Sequence, residues 1–150
     1  MTIVVGVSPT TGSPAALRWA AHEAKLRGVA LLAVMAWRPP RPPAASGGRP
    51  PAGTVYAAST DYAADAEASL REFVTDALGD DGASAECVVV KGSAVNALLS
   101  AASGADLLVV GEPRPGRPAS ERNARMVAPQ VVLKSPCPVV VMPPVAATVP

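Results

Sequence analysis

The stretch Ile3-Val-Val-Gly-Val7, continued by Ser13-Pro14 and a helical run to Gly28 and then by Val29 to Trp37, decides the fold. Ile3 to Val7 is short, apolar and β-branched without strict alternation, which is how a strand covered on both faces of a parallel sheet reads. Ser13 is a good helix N-cap and Pro14 suits a first helical position. Leu17, Ala20, Ala21 and Ala24 then recur on one face until Gly28 ends the helix. Strand, helix and strand in this order predict a right-handed parallel crossover unit.

The pattern repeats along the chain. After the second strand, Arg38-Pro-Pro-Arg-Pro-Pro43 opens a Pro-rich loop over 38–58, biased toward polyproline II. The spacing of Ala63, Ala66, Leu70, Phe73, Val74 and Ala77 predicts an amphipathic helix from about Thr60 to Leu78, closed by Gly79 and an Asp80-Asp81-Gly82 turn. Ala85 to Val90 reads as a third strand. Ser93 caps a helix carrying Val95, Leu98, Leu99 and Ala102, which stops at Gly104. Ala105 to Val110 is the fourth strand. A last helix lies between Ser120 and Lys134 with Pro129 in its first turn, because deeper placement costs about 3 kcal/mol. Pro138 to Met142 is a fifth, edge strand, and 143–150 a frayed tail.

Strands alternating with helices imply an α/β domain, a doubly wound five-stranded parallel sheet in the order 3-2-1-4-5 with helices on both faces, Rossmann-like. The length of 150 residues predicts one domain over 1–150, able to bury roughly 70% of its unfolded surface. Thirteen basic and twelve acidic residues give no global field to attract nucleic acid or an anionic membrane. The N-terminus has no basic region ahead of an apolar stretch and no apolar run approaches 18 residues, so a cytoplasmic protein is expected. Cys87 and Cys137 lack metal-ligand spacing and read as packing residues.

In that strand order a ligand crevice lies between strands one and four, faced by the loops Ser8 to Gly12 and Gly111 to Arg117. The second belongs to Leu107-Leu-Val-Val-Gly111-Glu-Pro-Arg-Pro-Gly116-Arg-Pro118, where a phosphate loop would sit. Phosphates are gripped by backbone N–H groups, and Pro113, Pro115 and Pro118 have none.

Four separated blocks carry a resemblance: Ile3-Val-Val-Gly-Val7, Ala16-Leu-Arg-Trp-Ala-Ala21, Gly104-Ala-Asp-Leu-Leu-Val-Val-Gly111 and Ser135-Pro-Cys-Pro-Val-Val-Val141. Together, over Ile3 to Met142, they resemble a universal stress protein domain, the actinobacterial kind in particular. The resemblance implies a homodimer joined by antiparallel pairing of the last strands, here Val139, Val140, Val141 and Met142. In the family's ATP-binding branch an aspartate after the first strand holds the adenosine part. A loop of the form Gly-x2-Gly-x9-Gly-(Ser/Thr) wraps the phosphates. Here the aspartate position falls on Ser8, the first loop glycine on Gly111 and the second on Arg114, with Gly116 further along the loop. The closing Gly-Ser pair falls on Arg125-Met126 counting back from Pro136-Cys-Pro138, and on Ala124-Arg125 counting forward. Val7, Ala36, Val110, Gly111 and Val127 remain compatible with the family's small-residue contacts.

Charge-assisted hydrogen bonds contribute about 1.5 to 3 kcal/mol each. Loss of two, with a hydroxyl replaced by Met126, weakens ATP binding by at least roughly a hundredfold. Glu112 adds repulsion. Against this stand Arg114, Arg117, Arg122 and Arg125, which could hold phosphate in place of the lost amides; the simpler reading is that they solvate a Pro-rich segment. His22, alone in the first helix, reads as structural, and no Ser-His-Asp set or paired carboxylates assemble. Lys91, after the third strand, has no evident partner. Arg38 to Pro43 reads as a stiff spacer before a polyproline ligand. The expectation is a non-enzymatic, dimeric, regulatory protein without a cofactor, ATP being the alternative ligand.

Overall fold

The computed structural model describes residues 1–8, 14–38, 62–111 and 127–143. The described elements are, in chain order, β1 (Thr2–Gly6), α1 (Pro14–Arg27), β2 (Ala30–Trp37), α2 (Tyr62–Leu78), a short 3-10 helix (Gly79–Ser84), β3 (Glu86–Lys91), α3 (Ala94–Ala102), β4 (Leu107–Gly111), α4 (Val127–Lys134) and β5 (Val139–Met142). The strands form one sheet in the order β3-β2-β1-β4-β5. All four pairings are parallel, with Gly6 opposite Val34, Val5 opposite Val109, Trp37 opposite Lys91 and Gly111 opposite Met142. This is the architecture that the alternation of strand and helix predicts.

Side-chain alternation along the strands builds two cores. Ile3, Val5 and Val7 pack with Ala16, Leu17, Ala20 and Ala24 of α1 and with Leu70 and Val74 of α2. Val4, Leu108 and Val110 pack on the other face with Ala97 and Leu98 of α3 and with Ala128 and Val131 of α4. Leu17 and Leu70 are fully buried, each removal from water contributing about 1.5–3 kcal/mol. Arg18 of α1 clamps the two helices on its face by donating from Nε to Ala77 O at 3.2 Å.

Helix ends follow the sequence signals closely. Gly28 adopts φ +66°; its N–H donates to Lys25 O and that of Val29 to Ala24 O, a Schellman closure that only glycine enters without strain. Ser93 Oγ accepts from Asn96 N at 3.2 Å, capping α3 as expected. Pro129 is the third described residue of α4. The expected Ser13 cap and the start of the last helix before Val127 lie outside the described residues.

Strand bounds differ by one or two residues from the expectation, each for a hydrogen-bonding reason. Ala85 stays out of β3 because its N–H bonds to Gly82 O, finishing the 3-10 turn that replaces the simple turn read at Asp80 to Gly82. Ala105 likewise bonds back to Ala102 O. Asp106 precedes β4: its N–H donates to Thr2 O at 2.9 Å, and its carboxylate accepts from Thr2 N at 3.1 Å. This reciprocal pair ties the start of β1 to the approach of β4.

Gly6 lies close against Leu98 of α3. A Cβ there would lie 3.0 and 3.1 Å from the two terminal carbons of Leu98, itself packed in the core. Gly6→Ala is expected to destabilise the fold by about 1 kcal/mol through overpacking. The cost should shrink in a Leu98→Ala background, the signature of direct contact in a double-mutant cycle; equal cost in both backgrounds, measured by urea denaturation, contradicts the packing.

Candidate functional site

The chain runs outward from β1 to β2 and β3 and then returns to β4 and β5 on the other side, so the sheet has its switch point between β1 and β4. Ligands of such sheets bind beyond the carboxyl ends at that point. Val7 N–H donates to Val34 O at 2.9 Å, carrying the pairing of β1 one residue past the strand. Ser8, partly buried, follows at the mouth. Gly111 ends β4 on the far side of the crevice, opposite Met142.

The structure brings part of the sequence-derived site together. Val110 is buried, and Ala36 and Val127 are partly buried in the same α3–α4 layer, forming an apolar wall on one side of the sheet ends. Val7 is buried in the opposite layer. Arg114, Gly116, Arg117, Arg122, Arg125 and Met126 lie outside the described residues. Pro129 of α4 has no N–H to offer an anion.

The remaining chemistry-bearing residues sit elsewhere. His22 is exposed on α1. Ser135 Oγ donates to Cys137 O at 2.8 Å and accepts from Cys137 N at 3.2 Å, shaping the turn into β5. Among the described residues no three His, Cys, Asp or Glu side chains gather as a metal-binding group. No helix among them is long and apolar enough to cross a membrane. A contact that sequence reading missed lies at the carboxyl ends of β2 and β3: Lys91 Nζ stands 6.0 Å from the Trp37 ring centroid, and Arg38 Nε donates to Gly92 O at 3.3 Å. The register that pairs Trp37 with Lys91 is a tertiary fact, and only the lone Lys91 was visible as a candidate.

A parallel five-stranded sheet in this order, with helices on both faces, defines an α/β domain of Rossmann-like architecture. The model of the universal stress protein family matches residues 1–143, and the chain belongs to that family. Among solved structures it is similar to a universal stress protein in complex with cAMP, at 26% identity over 95% of each chain and TM-score 0.64. UspA from Lactobacillus plantarum shares the fold at 20% identity, covering 95% of this chain and 97% of that one, with TM-score 0.62. So does an Arabidopsis thaliana family protein with AMP bound, at 17% identity over 100% and 95% and TM-score 0.60. No curated protein matches the chain by sequence.

Cys87, the second residue of β3 and partly buried beneath α2, has its thiol pKa pushed up by burial, with Arg71 opposing and Glu67 adding to the rise. The folded state therefore favours the neutral thiol. Its contribution to stability is complete below the ordinary thiol range and is lost as pH rises through the raised value. Cys87 is expected to alkylate more slowly at pH 8 than a free model thiol, and iodoacetamide labelling followed by mass spectrometry checks this. Labelling at or above the model rate contradicts the assignment.

Proposed function

We propose that this chain is a non-enzymatic, homodimeric universal stress protein of the branch that does not use ATP, acting in regulation through interaction rather than turnover. One observation carries the reading: Ser8 stands at the mouth of the crevice, at the position where the family's ATP-binding members place the aspartate that holds the adenosine. A neutral hydroxyl on a short stem offers a ribose a weaker acceptor than a carboxylate. The loop from Gly111 supports the same reading, since its sequence puts Arg114 where the second glycine would stand, adds Pro113, Pro115 and Pro118, which have no N–H, and puts Arg125-Met126 or Ala124-Arg125 where Gly-Ser would close.

A second reading is favoured by the similar structure that holds cAMP and by the arginines of the same loop. In it, Arg114, Arg117 and Arg125 hold the single phosphate of a nucleotide whose base rests on Ala36, Val110 and Val127. A monophosphate needs fewer donors than a triphosphate tail, and the three guanidinium forks supply them.

Isothermal titration separates the two. Mg·ATP is expected to show no binding at micromolar concentrations, whereas micromolar binding overturns the first reading. Micromolar binding of AMP or cAMP that weakens at least tenfold in an Arg114→Ala, Arg125→Ala variant would establish the second.

The dimer is supported by the position of β5, which pairs with β4 on one side alone and leaves an apolar ladder at its outer edge. Exposed Val132 and Leu133 of α4, at 52% and 84%, extend that apolar margin beside it. Light scattering at micromolar concentration is expected to give twice the monomer mass, and Val141→Pro to return the monomer by removing an N–H from the outer edge of β5, since the β4–β5 register turns the Val140 and Met142 N–H groups toward β4. A wild-type monomer refutes the assembly.

A further inference from the structure

On the face of the sheet away from the apolar crevice wall, two strands end in a basic and aromatic cluster. Trp37 and Lys91 are register partners on β2 and β3. By alternation with Met35 and Val89 they lie on the α1–α2 side, whereas their neighbours Ala36 and Val90 lie on the α3–α4 side. Trp37 is partly buried and Lys91 exposed, with the ammonium 6.0 Å from the ring centroid. Arg38, also exposed, is fixed through Nε to Gly92 O. Among the described residues that bond engages Nε alone and orients the two Nη groups of the guanidinium as a fork.

Among the described residues no carboxylate pairs with this cluster: the ion pairs are Arg27 with Glu23 and Arg71 with Glu67, both within one helix. The described acidic residues are concentrated elsewhere, with Asp65, Glu67, Glu72 and Asp76 on α2 and Asp80 and Asp81 just after it. We propose that Trp37, Arg38 and Lys91 form a docking surface for an acidic peptide segment of a partner protein. In this arrangement an apolar side chain lies against the indole and flanking carboxylates meet the Arg38 fork and the Lys91 ammonium.

Three features select this occupant. A fork held by its Nε engages a carboxylate in bidentate fashion with little further ordering. An indole rim beside two cations supplies apolar area with charge at its border, the composition of an interface anchor. A polynucleotide is disfavoured by the single aromatic platform and by a net charge of +1 over the whole chain, since single-strand binding uses successive stacking rings along a basic groove. The surface is independent of whether the crevice holds a nucleotide.

The test uses the full chain carrying Trp19→Phe, so that Trp37 is the sole indole reporter. A peptide of alternating Glu and Leu is titrated at low salt while Trp37 emission is followed. Saturable quenching or a spectral shift, weakening with added salt, is expected. Arg38→Gln with Lys91→Gln is expected to weaken binding about tenfold or more, and Arg27→Gln, on α1, to leave it unchanged. Absence of a salt-sensitive response overturns the proposal, as does equal affinity in the double variant with circular dichroism intact. Tighter binding of an oligothymidylate than of the peptide assigns the surface to nucleic acid and overturns it as well.

Discussion

Burial of β1 and β4 on both faces is the constraint from which the other features follow. Val4, Val5, Leu108 and Val109 have no exposed surface, and the two strands pair with each other as well as with β2 and β5. No polar side chain fits along such strands without a buried partner, so function is confined to their ends. The amino end is closed by the reciprocal bonding of Thr2 and Asp106. At the carboxyl end Ser8 follows β1 and Gly111 ends β4 on the two sides of the switch point, and the crevice is thus a consequence of topology before it is one of residue choice.

Much of this was legible in the chain because the signals are local. The apolar runs without alternation, the Gly28 stop and the Ser93 cap each act within five or six residues, and each appears in the structure where its chemistry puts it. The helix face read at Leu17, Ala20 and Ala24 is the buried one, while Ala21 is only partly covered because it sits at the margin of that stripe. α2 shows the limit of periodicity alone. Of its six apolar positions only Leu70 and Val74 are buried, since a helix beside the edge of a small sheet covers it with a narrow strip.

What the chain did not disclose depends on residues far apart in sequence. Asp106 looks like the opening of a strand, and its role as acceptor for Thr2 N, 104 positions away, needs the β1–β4 pairing to exist first. Lys91 looked partnerless because its neighbour Trp37 becomes adjacent only once the β2–β3 register is set. Of the candidate site, Ala36, Val110 and Val127 could be grouped in advance by the family pattern, and the structure gathers them in one layer. No periodicity in the sequence points to that grouping.

The sheet also explains how a phosphate grip can erode while the fold persists. Stability is held by the two cores, whose members come from strands and helix faces; Ala36, Val110 and Val127 of the crevice wall belong to one of them, and Ser8 at its mouth to neither. A substitution at Ser8 therefore changes the mouth at little cost to folding, whereas one at Val109 or Leu70 removes a packed side chain and costs several kcal/mol.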